Sequence, residues 1–263
     1  MPRPLQAQSS LGWLLLALTL TACQAAGSSG APSASLGSPN SLPSPSATAL
    51  PLSLPRPTDI PTDGTCEDGH VCLGLLAAGT TYHTEAFEPT ITLTPPANGW
   101  ENLSDEGAAF MLLSIDAPGD AIAFFRGAKA VEPDGTTASA DDTVEGLSGW
   151  LASNDLLDVT AATPVTVGGL QGVTMDIRIA PGAVNHPADC PVQTCIPIFK
   201  GEDSSAKPPW HWDWGSGDGE TQRLYLLNAV DGVVAIFVDS YDGTTFDALT
   251  TAADGILAGL RFG

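Results

Sequence analysis

Positive charge is what this 263-residue sequence has least of: nine Lys and Arg stand against 30 Asp and Glu, for a net charge of −21. A field of that sign repels phosphate backbones and anionic head groups, which excludes nucleic-acid binding and a flat membrane-surface role. Long apolar runs are missing too. The run Leu11–Leu20 (LGWLLLALTL) is about half of the ~20 residues that a spanning helix needs. Histidine occurs only four times, at His70, His83, His186 and His211, with no HExxH or other paired spacing. There is no CxxCH, no P-loop and no dinucleotide fingerprint. Gly146-Leu-Ser-Gly149 lacks the spacing of a serine nucleophile elbow. Glu85 and Glu88, beside a strand start, read as solvated surface. No local motif supports catalysis, and no cofactor is called for.

The N-terminus carries the clearest signal. One basic residue, Arg3, precedes the apolar run, which gives way at once to Thr21-Ala22-Cys23. A short basic region, an apolar region and small residues define a secretion signal over residues 1–22. Leu20-Thr21-Ala22-Cys23 resembles the bacterial lipobox. That resemblance implies a lipid on Cys23, and hence an extracytoplasmic protein held to the cell membrane or outer membrane by its anchor. Gln24, rather than Asp, follows the cysteine; in a two-membrane bacterium that favours the outer membrane.

Residues 23–61 form the next unit. Prolines at 32, 39, 43, 45, 51, 55, 57 and 61, among Ser, Ala and Gly, forbid helix and ladder formation. Few large side chains are present to offset the entropy of ordering. This stretch reads as a disordered, semi-extended spacer. Residues 62–263 read as one globular domain. If Cys23 is lipidated, four of the five cysteines remain: Cys66, Cys72, Cys190 and Cys195. An even number in an exported chain reads as two disulfides. Three connectivities are possible, and the short spacings favour Cys66–Cys72 and Cys190–Cys195. A metal site joining these thiols to His70 or His186 is the competing use, but neither spacing is CxxC.

Within the domain, Val173–Ile179 (VTMDIRI) alternates apolar and polar residues, which predicts a strand with Val173, Met175, Ile177 and Ile179 on its core face. Arg223–Ala229 and Val233–Val238 flank Asp231-Gly232, a hairpin turn pair. Val165–Val167, Thr90–Thr94, Ala109–Ile115 and Ala121–Phe125 complete the expected strands, with Pro118-Gly119 turning the chain between the last two. A helix is expected over about 143–153, capped by Asp142 with Glu145 closing a capping box, and burying Val144, Leu147, Trp150 and Leu151. A second is expected over about 245–260, with Phe246, Leu249, Ala253, Ile256, Leu257 and Leu260 as its apolar stripe. Hairpins without βαβ alternation give an α+β class: an antiparallel sheet with packed helices.

The order of these pieces, with a strand ending at Asn98-Gly99-Trp100, then "TPVTVGGLQGVTMDI" (163–177) and a closing "ILAGLRF" (256–262), resembles the PsbP-like α/β sandwich. That group includes photosystem extrinsic proteins and actinobacterial lipoproteins of the LpqN type. The resemblance implies a role in binding proteins or stabilising assemblies, with Gly99-Trp100 and Gly168-Gly169 as turn and packing positions.

One stretch is more pointed. Trp210-His211-Trp212-Asp213-Trp214, if extended, places three indoles on one side and His211 with Asp213 on the other. Such a platform can stack on sugar rings, aromatic groups or a cation; the alternative is a long loop pinned down by buried tryptophans. Carboxylates in Gly215–Glu220 (GSGDGE) raise calcium as a ligand, though without the alternating oxygens of an EF-hand. The reading is therefore a non-enzymatic, lipid-anchored binding or accessory protein whose partner is a protein, an envelope polymer or a small molecule. Its rivals are carbohydrate binding through Trp210, Trp212 and Trp214, an envelope hydrolase with a site assembled from distant residues, and a purely structural subunit of a membrane complex. The cysteine arithmetic gives a direct check. Thiol titration of the denatured, unreduced mature chain is expected to find no free thiol, and four after reduction; a free thiol before reduction contradicts the two-disulfide reading.

Overall fold

The computed structural model describes residues 58–59, 74–185, 194–202 and 214–263. Cys23, Cys66, Cys72, Cys190, Trp210, His211, Trp212 and Asp213 lie outside the described residues, as do the signal and spacer segments apart from Thr58 and Asp59.

In chain order the strands before the first helix are β1 (Thr58–Asp59), β2 (Leu75–Leu76), β3 (Tyr82–His83), β4 (Ile91–Leu93), β5 (Trp100–Asp105), β6 (Ala109–Ser114), β7 (Ala121–Arg126) and β8 (Lys129–Ala130). Helix α1 (Val144–Ser153) follows, then β9 (Leu157–Val159), β10 (Thr163–Val167), β11 (Leu170–Ile179), β12 (Cys195–Lys200), β13 (Trp214–Gly217), β14 (Thr221–Ala229) and β15 (Gly232–Ser240). Helix α2 (Phe246–Gly259) and β16 (Arg261–Phe262) close the chain. Nine strands make the main sheet, in the order β10-β11-β14-β15-β7-β6-β5-β2, with β9 also paired to β11. Every pairing in it is antiparallel. The α+β class expected from the sequence is what the chain adopts.

The main sheet is covered on both faces. Alternation along β15 sends Val234, Ile236 and Val238 to one face and Val233, Ala235 and Phe237 to the other. On the first face these meet Leu249, Ala253, Ile256 and Leu257 of α2, together with the small sheet β1-β3-β4-β16. On the second they meet Val144, Leu147 and Leu151 of α1, together with the sheet β13-β12-β8. Double coverage explains why Val233–Val238 is an unbroken apolar run although its neighbours are antiparallel. A half-exposed strand would alternate.

Several local expectations shift by a residue or more. Helix α1 is capped by Thr143, not Asp142: Thr143 is extended (φ −121°, ψ 161°) and its hydroxyl accepts from the Gly146 N–H at 3.0 Å. Asp142 instead faces Lys129 at 3.9 Å. The strand near Trp100 begins there rather than ending there, because Gly99 takes φ +110° and turns the chain before it. The β14–β15 loop is Val230-Asp231, one residue earlier than expected, since Gly232 pairs with Ala229. Between β10 and β11 the turn falls on Gly168-Gly169 as expected, both with positive φ (60° and 93°), as a two-residue hairpin of matching twist requires. Asp120, buried, ties the start of β7 to the head of α2: its carboxylate accepts from Tyr241 N at 3.1 Å and Thr245 Oγ1 at 2.6 Å.

Residues 181–220, between the strands expected at 173–179 and 223–229, contain β12 and β13. Their short, proline- and glycine-bearing segments (CIPIFK and WGSG) carry no alternating signature, yet they pair antiparallel and lay Ile196, Ile198 and Phe199 onto the second face. Cys195 opens β12 and is disulfide-bonded. At the margins of the main sheet lie β2, two residues long, and β10, which carries Pro164.

Phe237 is fully buried and its ring lies 5.3–6.0 Å from those of Trp214, Phe199 and Phe125. Phe237→Ala is expected to lower the unfolding free energy by about 3–5 kcal/mol, while Val230→Ala at the exposed hairpin loop changes it by less than about 0.5 kcal/mol. Urea denaturation of the two variants checks the difference.

Candidate functional site

The alternation that buries Leu224 and Leu226 on the second face places Arg223 and Tyr225 of β14 on the first. Register then sets Asp176 of β11 opposite Arg223, and Thr174 opposite Tyr225. Helix α2 covers the middle of that face but leaves the strip nearest β10 open. The result is a cleft of about 500 Å³. Its floor holds Thr174, Asp176, Arg223 and Tyr225; Asp254, Leu257 and Ala258 of α2 form one wall, and Thr163, Val165 and Val167 of β10 another.

Each polar group on this floor is held in place. Arg223 binds Asp176 through two bonds, Nε to Oδ1 at 2.7 Å and an Nη2 bond to Oδ2 at 3.1 Å, and its guanidinium lies 5.5 Å from the centre of the Phe246 ring. The Asp176 hydrogen bonds hold the Arg223 pKa above its ordinary value, against the opposing effect of burial. Tyr225 donates to Asp254 Oδ1 at 3.4 Å. Burial, followed by the charge of Asp254, pushes the Tyr225 phenol up to about 12. Tyr225 therefore keeps its proton at any physiological pH and offers a donor, not a base. The Thr174 hydroxyl donates to the Leu224 carbonyl at 3.0 Å, and Thr160 accepts from the Asp176 N–H at 2.8 Å. The cleft presents hydroxyls, one matched ion pair and a neutral phenol beside an aliphatic wall, an arrangement suited to holding an uncharged molecule by hydrogen bonds and apolar contact.

None of these residues was singled out in the sequence. For Thr174 and Asp176 the signal is the polar half of VTMDIRI, which alternation marks only as facing away from the core; Arg223 and Tyr225 carry none beyond their place in the expected strand 223–229. Of the residues that were singled out, Trp214 is half-buried, its ring 5.5 Å from Phe125 and 5.3 Å from Phe237 on the second face. Its side chain belongs to the core, and the rest of the Trp210–Asp213 run lies outside the described residues. Glu85 and Glu88 are exposed. His83 is half-buried, with Nδ1 3.2 Å from the Thr84 carbonyl. Within GSGDGE, Asp218 is exposed while Glu220 turns inward. Among the described residues no three His, Cys, Asp or Glu side chains group as a metal site, and no helix is long and apolar enough to cross a membrane.

The structure thus defines an antiparallel α+β sandwich with an open cleft at one edge. No protein family and no curated protein matches the chain. Among solved structures, it is similar to the cyanobacterial PsbP (CyanoP) of Synechocystis, with 8% identity and a TM-score of 0.39, over 76% of this chain and 98% of that one. It is also similar to a protein of Bacteroides thetaiotaomicron, with 12% identity and a TM-score of 0.30, over 66% of this chain. The chain spans 45% of that protein's length.

The Tyr225 shift has a defined consequence. Its folded pKa lies above the unfolded value, so between about pH 10 and 12 the unfolded chain loses a proton that the folded chain keeps, and stability falls as pH rises. Tyr225→Phe is expected to flatten that alkaline decline, measured as melting midpoint against pH. An unchanged decline means that Tyr225 does not cause it.

Proposed function

We propose that this chain is an extracytoplasmic lipoprotein that binds without catalysing: Cys23 carries the anchor, residues 24–57 form a tether that ends where Thr58–Asp59 joins the domain as β1, and the cleft between α2 and β10–β11–β14 receives the ligand. The anchor reading is supported by the Leu20–Cys23 resemblance and by the proline-rich stretch directly after it. The PsbP-like layout seen in the sequence, from Gly99-Trp100 to the closing "ILAGLRF", points to the same accessory kind of role. The observation that carries the binding reading is the state of the cleft's polar groups. Arg223 is already matched by Asp176 and Tyr225 stays protonated, so the site recognises without supplying a base. Hydroxyls of Thr160, Thr163, Thr166 and Thr174 beside Val165, Val167 and Leu257 fit a ligand that mixes hydroxyl groups with apolar faces, as the sugar rings of an envelope polymer do.

Two measurements test this. In a bacterial host that processes lipoproteins, the full chain is expected in the membrane fraction, and Cys23→Ala is expected to release it; a membrane-bound Cys23→Ala variant overturns the anchor. Separately, the detergent-solubilised chain is expected to co-sediment with isolated peptidoglycan. Tyr225→Phe combined with Asp254→Asn is expected to lower the sedimented fraction several-fold without loss of the melting transition. Equal sedimentation by the folded double variant sinks the cleft as the binding site.

A further inference from the structure

A second polar group is built into the fold on the face away from the cleft. Gln222 of β14 and Asp239 of β15 are cross-strand partners on the second face, and both are buried, at 0% and 7% exposure. Gln222 Nε2 donates to the Gly215 carbonyl at 2.9 Å and to Glu220 Oε2 at 3.3 Å, and that same Glu220 oxygen accepts from the Gly217 N–H at 2.6 Å. Ser216, 1% exposed, lies between the two glycines and on the same side of β13 as Trp214, whose ring packs on Phe237 two residues before Asp239. Three oxygens in this group, Ser216 Oγ, Gln222 Oε1 and Asp239 Oδ1, have no hydrogen-bond partner.

Buried polar atoms are almost always paired, and a buried carboxylate without a counter-charge is costly. Here a buried carboxylate, Asp239, and a half-buried one, Glu220, lie near each other; beside the three unpaired oxygens, the indole Nε1 of Trp214 is also unpaired. Burial, then the neighbouring Glu220 charge and more weakly Asp120, raises the Asp239 pKa well above the carboxylate range, with Gln222 partly offsetting. Burial also raises Glu220, against the Gly217 N–H and the Gln222 amide. The Ser216 hydroxyl and the Trp214 indole N–H can each donate to an oxygen, but neither supplies a counter-charge for the two carboxylates. A divalent ion supplies that counter-charge for both carboxylates and takes neutral oxygens of the kind that Ser216 and Gln222 carry. The donor set is hydroxyl, amide and carboxylate, without nitrogen or sulfur, which selects a hard cation; the mix of charged and neutral oxygens suits Ca²⁺ better than Mg²⁺, which holds its own waters.

We propose that Glu220, Asp239, Gln222 and Ser216 form a Ca²⁺ site that locks β13 to the β14–β15 hairpin. The site is independent of the cleft and of the anchor. It also differs from the GSGDGE loop reading: Asp218, exposed, takes no part.

The full chain, stripped with EDTA and held at constant ionic strength, is titrated with Ca²⁺ while the melting midpoint is followed. A rise of several degrees at millimolar Ca²⁺ is expected, with less for Mg²⁺. Asp239→Asn and Glu220→Gln are each expected to abolish the rise, and Asp218→Asn to keep it. In parallel, Tb³⁺ is expected to give emission sensitised by Trp214, displaced by Ca²⁺ and at least tenfold weaker in binding to Ser216→Ala, a small change that leaves both carboxylates in place. An equal rise in Asp239→Asn assigns the effect to surface acids and overturns the proposal. So does the absence of any rise or sensitised emission in the unaltered chain, which leaves the pair to a proton.

Discussion

The constraint on which the rest of this fold depends is that the β14–β15 hairpin must be buried on both sides. Eight consecutive residues of β15, from Val233 to Ser240, are buried, and a strand of that kind exists only where each face has its own cover. Two small helices cannot supply it. Helix α2 is 14 residues and α1 only ten, so two minor sheets complete the layers. The short strands β8, β12 and β13 on one face, and β3, β4 and β16 on the other, are the remainder of that cover. Apolar area removed from water at about 25 cal/mol per Å² favours closing these gaps even with segments of poor intrinsic strand propensity.

The same layering decides where polar groups are tolerated. Where α2 ends short of the sheet's β10 margin, the first face is open, and there Asp176 and Arg223 sit half-exposed and paired, with Tyr225 buried beside them and donating to Asp254. Where β13 closes over the second face, Gln222, Asp239 and Ser216 are sealed in instead. The two groups share one central strand, β14: Gln222 and Arg223 are adjacent in sequence and point to opposite faces. One strand thus carries an open site on one side and a closed one on the other.

What was legible in the sequence follows from which interactions are local. Period-two alternation at Val173–Ile179 and the apolar run at Val233–Val238 announced the long strands, and both helices were marked by their apolar stripes. The minor strands were not legible. CIPIFK and WGSG are strands because the second face of the sheet needs covering, and nothing inside those residues says so. The cleft was illegible for a related reason. Asp176 and Arg223 are 47 positions apart, and only the register of β11 against β14 makes them a pair. The tryptophan run drew attention through composition; its last member, Trp214, is an aromatic contact of Phe237 and Phe125.

The two-residue β2 and the proline in β10 have a consequence for how the domain behaves among copies of itself. A sheet of nine strands would ordinarily end in two long rows of unsatisfied amides, each a template for the next molecule. Here one row is cut to two residues, and the other is interrupted at Pro164, which has no N–H to offer. With the strongly negative charge added, neighbouring molecules can be crowded side by side without zipping into a fibre. The margins of this sheet are shaped for density.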